Sequence, residues 1–197
     1  MKRLKLFVII TTALLSLTVS ASAQTPGPQF WRRATCEPLE PRTRLENLDQ
    51  RYSTVIIKGF TRVTSIELRG IRVDAVEMHE PGRGESTKGL VIALREGGDR
   101  PNDNRAFVDY EEIAPLLAAI DSLNRVDESS TKLTGFEARY QTHGDLEMVS
   151  FRQTNRGTAV TLTTGICEKQ TVTMSLDEFG KFKAMIQEAK ARIDELN

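Results

Sequence analysis

The stretch "VDYEEIAPLLAAIDSL", Val108 to Leu123, reads as a strand end running into a helix, and "TMSLDEFGKFKAMIQEA", Thr173 to Ala189, repeats the plan. At a shift of 66 residues Val108 pairs with Met174, Tyr110 with Leu176, Ile113 with Phe179, Leu116 with Phe182 and Ile120 with Ile186. Apolar residues three and four apart make one stripe along a helix. Ahead of each stripe stands a residue with a glutamate three positions on: Asp109 with Glu112, and Ser175 with Glu178. That is capping-box spacing, in which the cap oxygen takes one orphan amide and the glutamate reaches back to another. Asp109 and Ser175 are therefore expected at equivalent caps. Pro115 lies beyond the first turn counted from Asp109, which moves the expected start of the first helix toward Ala114. The acids in "YEE" and "LDE" are accounted for by capping and the helix dipole. Acid–base catalysis would instead need two carboxylates converging across a pocket.

Strand patterns precede each helix. "STVIIKGF" and "RVTSIEL" are rich in β-branched residues, with Gly59 between them as a bulge or turn. "IRVDAVEMH" (Ile71 to His79) alternates through Ile71, Val73 and Ala75, then shifts phase to Val76 and Met78, as a β-bulge would make it do. "EPGRGESTKG" reads as a long hairpin loop, "LVIALRE" as a central strand buried on both faces, and "AFVDY" as the strand before the helix. In the second half "LTGFEARYQT", "LEMVSFRQ", "TAVTLTTG" and "QTVTMSL" form a similar series, with a tight turn at His143-Gly144-Asp145. The stripe Phe179, Phe182, Met185, Ile186, Ala189, Ile193 and Leu196 then marks a long amphipathic helix.

The expected fold class is α+β: two pseudo-repeated units, each a four-stranded antiparallel β-meander followed by an α-helix that covers it, packed as one domain. The units span 53–126 and 127–197, so 53–197 is expected to be the globular domain. At the level of element order this layout resembles the whirly-type fold of single-stranded DNA-binding proteins. The resemblance covers residues 53–197 and implies a pair of meander-plus-helix halves. The family's Lys-Gly-Lys-Ala-Ala-Leu signature is missing, with "IIKGF" no substitute. No binding residue is carried over, and fold alone does not imply function.

The first 23 residues read as a signal peptide: basic Lys2, Arg3 and Lys5, an apolar run from Leu6 to Val19, and Ala21-Ser22-Ala23 before cleavage. The run is too short for a comfortable membrane span, and no other run approaches membrane length. The expected location is the periplasm or the medium of a bacterium, with cleavage after Ala23. Residues 24–52 form an extended segment holding Trp31, with "RTRLENLDQR" (Arg42 to Arg51) as a short helix. Of 27 basic residues the signal takes three, leaving 24 against 27 acidic and a net charge near −3. That balance argues against a general polyanion binder. In an oxidising compartment Cys36 and Cys167 predict one disulfide, with two unpaired thiols as the alternative. Closing a loop of that size is worth roughly 4–5 kcal/mol in the chain-entropy account.

No catalytic set emerges. His79 and His143 lack partners at metal-ligand spacing. Asp99, Asn102, Asp103 and Asn104 offer oxygens but miss the calcium-loop pattern. No catalytic, cofactor-binding or metal residue is therefore assigned, and no cofactor is expected. The leading expectation is a non-enzymatic binding or structural module of the envelope, with a protein or envelope component as partner. An enzyme site formed in three dimensions at the junction of the halves is the alternative, and single-stranded nucleic-acid binding on a sheet face the second.

Overall fold

The β-branched and aromatic stretches pair into two four-stranded antiparallel sheets, each in sequential order and each followed directly by a helix. A computed structural model describes residues 40–64, 66–68, 70–94, 104–153, 157–165 and 169–196, all within one compact unit, Cys36–Asn197. The signal segment, Cys36, Cys167 and residues 95–103 with Asp99, Asn102 and Asp103 lie outside the described residues. The first sheet holds β1 (Ile57–Arg62), β2 (Ile71–Glu80), β3 (Glu85–Leu94) and β4 (Asn104–Asp109). The second holds β5 (Glu137–Gln141), β6 (Glu147–Gln153), β7 (Gly157–Thr164) and β8 (Gln170–Ser175). Three helices complete the fold: α1 (Arg44–Asp49), α2 (Tyr110–Asn124) and α3 (Leu176–Asp194).

The repeat is real to the residue. α2 starts at Tyr110 and α3 at Leu176, with Asp109 and Ser175 in the cap positions. Ile113, Leu116 and Ile120 are buried in α2, as are their counterparts Phe179, Phe182 and Ile186 in α3. Pro115 sits inside α2, which does not begin near Ala114. Proline there removes the bond to the carbonyl of Glu111. Both Pro115 and Glu111 are exposed, so water can take that carbonyl.

Each helix touches both sheets, so neither merely covers its own half. α3 packs on β7 and β8 but more extensively on β2 and β3, while α2 packs on β3, β4, β5 and β6. One core results, joining Leu90 and Ile92 of β3 to Met148 and Leu162 of the second sheet through the two helix stripes. Phe179 and Phe182 stack within it, ring centroids 6.3 Å apart. A shared core removes more apolar surface from water than two separate half-cores would, which favours the exchange.

The phase shift in β2 is not a bulge. The β2–β3 register runs unbroken from Ile71 opposite Leu94 to Glu80 opposite Glu85, and β1–β2 runs unbroken past Gly59. Val73 and Ala75 face the shared core, whereas Val76 and Met78 face a second cluster with Leu45, Leu48, Val91 and Phe107. The change of phase marks a change of buried face. α1 supplies the second cover, so the folded domain begins before residue 53. Gly89 lets α1 approach, since a β-carbon there would stand 2.8 Å from Leu45 Cδ1 and 2.1 Å from the Val108 carbonyl oxygen. The stretch "RVTSIEL" supplies no second strand among its described residues: Arg62 ends β1, Val63 N–H adds one bond to the Val73 carbonyl, and Leu68 makes an isolated bridge to Ile71. The β2–β3 connection is shorter than the sequence suggests: Glu85 to Gly89 already belong to β3, and Gly84 turns the chain with φ 66°.

Candidate functional site

Three chain ends meet where the halves join: the start of α1, the start of α2 and the turn between β5 and β6. Thr43 and Glu46 form a capping box on α1, with Glu46 N–H donating to Thr43 Oγ1 at 3.0 Å and Thr43 N–H to Glu46 Oε2 at 3.1 Å. Arg42 N–H also donates to Glu46 Oε2, at 2.8 Å. Burial pushes the Glu46 carboxyl above its ordinary range, opposed by the two amides. Asp109 does not box α2. It makes no side-chain bond to that helix and instead accepts from the amides of Arg44 (2.8 Å) and Leu45 (3.1 Å), capping α1.

Glu112, expected to reach back to Asp109, instead accepts from the His143 amide at 2.9 Å, with His143 Nδ1 3.0 Å from the same oxygen. Arg42 donates to Asp145 at 2.9 Å, and Phe107 N–H donates to the Gly144 carbonyl at 3.0 Å. Ser175 and Glu178 do form the expected box: Ser175 N–H donates to Glu178 Oε2 at 2.9 Å and Glu178 N–H to Ser175 Oγ at 3.3 Å. The Ser175 amide holds the Glu178 carboxyl below its usual range.

A small polar hollow of about 210 Å³ opens at this junction, with Arg42, Gln141, Asp145, Glu147 and Lys169 on its wall. Both of its carboxylates carry ion pairs, Asp145 with Arg42 at 2.9 Å and Glu147 with Arg139 at 2.8 Å. Asp109, Glu112 and Asp145 thus each hold a different chain segment in place. Among the described residues no group of three or more His, Cys, Asp or Glu is placed to hold a metal ion. No helix among them is long and apolar enough to cross a membrane.

Of the six large exposed apolar side chains among the described residues, Leu133 and Leu196 stand apart and the other four lie on or just before β1, the outer strand of the first sheet. Ile57 and Phe60 on β1 are 55% and 64% exposed, and Tyr52 and Val55 just before it are exposed further still. The ladder sets which backbone groups face out. Val63 N–H donates to the Val73 carbonyl, so residues 57, 59 and 61 are bonded to β2 in the same alternation. Lys58, Phe60 and Arg62 then turn their N–H and C=O groups away from the sheet. The same rule turns Phe107 outward from β4, where Gly144 meets it. One outer edge of the first sheet is thus met by the second half, and the other pairs with no strand among the described residues.

Edges are ordinarily guarded by charge, proline or bulges. β1 has neither proline nor bulge, and its cations fold back: Lys58 Nζ lies 3.0 Å from Asp49, and Arg62 Nε lies 3.3 Å from Asp74. Beyond Arg62 a groove of about 610 Å³ is lined by Val63, Ile66, Leu68, Ile71 and Met185, with Arg62 and Arg72 at its wall. The composition of β1 marks it as a strand, but an edge and a centre strand share β-branched residues, so its exposure leaves no signal in the sequence. No protein-family model matches the chain, and no curated protein matches it significantly.

Proposed function

We propose that this is a non-enzymatic binding module of the bacterial envelope that engages a protein partner through β1. The observation that carries this reading is the β1 edge, unpaired among the described residues, with Ile57 and Phe60 exposed beside three outward-facing backbone positions. A strand edge with unpaired backbone groups offers a template for strand addition, and apolar side chains beside it add contact area. The acids at the junction support binding over catalysis, because each holds an amide or a cation of another segment. The leader pattern in residues 1–23 supports an exported chain that meets its partner in the periplasm or medium. Random peptides displayed on phage and selected on the protein and on its Phe60→Lys variant test the reading. Sequences should enrich on the first and not on the second; equal enrichment on both would sink it.

A further inference from the structure

We infer that two copies of this chain pair through β1, strand against strand, about a twofold axis at Gly59. The inference rests on the binding role given to this edge and names its partner. No strand among the described residues pairs with that edge. Residues 57, 59, 61 and 63 are bonded to β2, which leaves the N–H and C=O groups of Lys58 and Phe60 facing outward on either side of Gly59. Antiparallel pairing about Gly59 sets Lys58 opposite the second copy's Phe60, and Phe60 opposite its Lys58. Each pair then exchanges both N–H···O bonds.

The apolar surface around β1 is divided in the way such a pairing needs. Exposed apolar residues precede Gly59: Val55 is 70% exposed and Ile57 is 55%. The groove follows it, lined by Val63, Ile66, Leu68, Ile71 and Met185, with Arg62, Glu67 and Arg72 also on its wall. Both lie on one side of the strand, because Thr61 stands opposite Ala75 and Val63 opposite Val73, and those two β2 residues face the shared core. Pairing about Gly59 brings the second copy's Ile57 beside Thr61 and its Val55 beside Val63, at the mouth of the groove. The twofold makes the exchange reciprocal, so each copy supplies an apolar side chain and receives one. An unrelated strand could use the backbone ladder, but this match between exposed residues and groove would go unused.

Gly59 suits the axis. The β1–β2 ladder runs unbroken past it, and a β-carbon there would meet only the Glu77 carbonyl oxygen, at 4.0 Å. Nothing among the described residues therefore requires glycine, and a glycine inside a strand commonly marks the close approach of another backbone. The pairing asks for no new charge partner, since Lys58 stays with Asp49 and Arg62 with Asp74. Centring the axis on Phe60 would set Lys58 directly opposite Arg62 twice, and like charges so placed are destabilising. Centring it on Thr61 would bring Gly59, which has no side chain, to the groove in place of Val55.

Sedimentation equilibrium of the purified protein between about 1 and 100 µM should show a monomer–dimer equilibrium. Hydrogen exchange should slow at the amides of 58 and 60 as the dimer fills, while 57, 59 and 61, already bonded to β2, change little. Val55→Lys and Ile57→Lys should each weaken the dimer at least about tenfold, because each change enters twice, and should leave the urea midpoint unchanged. On oxidation Gly59→Cys should give a disulfide between the two copies' residues 59, recovered by mass spectrometry, and Thr61→Cys far less of a 61–61 link. A protein that stays monomeric to about 100 µM overturns the inference. So does a dimer indifferent to Val55→Lys, one without added protection at 58 and 60, or one that links 61 more readily than 59. The phage selection is run on protein dilute enough to be monomeric, so that self-pairing does not mask the edge. If no dimer forms while phage peptides still discriminate Phe60→Lys, self-pairing is wrong and the binding role stands. If neither occurs, both fall.

Discussion

The carboxylate of Asp109 accepts the amide of Arg44 at 2.8 Å, so the residue that closes β4 caps a helix 65 positions earlier in the chain. Its second oxygen takes the Leu45 amide, and Leu45 itself is fully buried against the first sheet. Removing an N-cap costs about 1–2 kcal/mol. Asp109→Ala should therefore lower stability by about that much in urea unfolding. Hydrogen exchange should speed at α1, not at the start of α2. Faster exchange confined to residues 110–113 would show that Asp109 acts on its own helix after all.

Ser175 and Glu178 behave differently because their box closes within four residues. Ser175→Ala and Glu178→Ala should each cost about 1 kcal/mol, and the double variant clearly less than their sum. Additive losses would mean that the two side chains do not act as one unit.

These two caps show how far the chain could be read from its residues. Local signals were sufficient for α2 and α3: the apolar stripe, the cap position and the 66-residue echo all involve neighbours along the chain. Ser175 and Glu178 were legible for the same reason. The partners of Asp109 and Glu112 were not, because Arg44 and His143 lie 65 and 31 residues away. The β2 phase shift was visible but misassigned: a pattern of period two cannot say that α1 covers the opposite face. The open edge at Phe60 left no mark, since exposure depends on which strand has a neighbour.

Glu46 and Glu178 should respond to acid in opposite senses. Glu178 has a lowered folded pKa, so its stabilisation is complete above the unfolded glutamate range and is lost as pH falls through the folded value. Glu46 has a raised folded pKa, so the folded state holds that proton more tightly. Its contribution weakens as pH rises from the unfolded range through the folded value. Urea midpoints between about pH 3 and pH 7 should show Glu46→Gln gaining on the wild type as pH rises. Glu178→Gln should lose ground over the same change. Parallel profiles for both variants would contradict the two environments.

Ser150 on β6 is fully buried, and its hydroxyl has no hydrogen-bond partner among the described residues. A buried hydroxyl left unpaired costs about 1–3 kcal/mol. Ser150→Ala should thus be neutral or stabilising by about 1 kcal/mol, against the usual loss for a core substitution. A fall in the urea midpoint would show that the hydroxyl is satisfied in solution.

At Gly144 the second half meets the first through backbone, by the bridge to Phe107. A β-carbon there would stand 1.8 Å from the Phe107 carbonyl oxygen, 2.7 Å from its carbon and 3.0 Å from Thr43 Cγ2. Two of the three are backbone atoms, which cannot rotate aside. The bond from Phe107 N–H to the Gly144 carbonyl would have to break as the turn backs away, with the Arg42–Asp145 and His143–Glu112 contacts strained alongside. Overpacking and a lost buried hydrogen bond together put Gly144→Ala at about 3 kcal/mol or more. Gly82, in the β2–β3 turn, has nothing within 4 Å of its added β-carbon, so Gly82→Ala controls for glycine's backbone entropy. Gly144→Ala should also speed exchange at the Phe107 amide while leaving the β7–β8 ladder protected. Matching small losses for the two variants would mean that the halves are joined by their shared core, with the turn adding little.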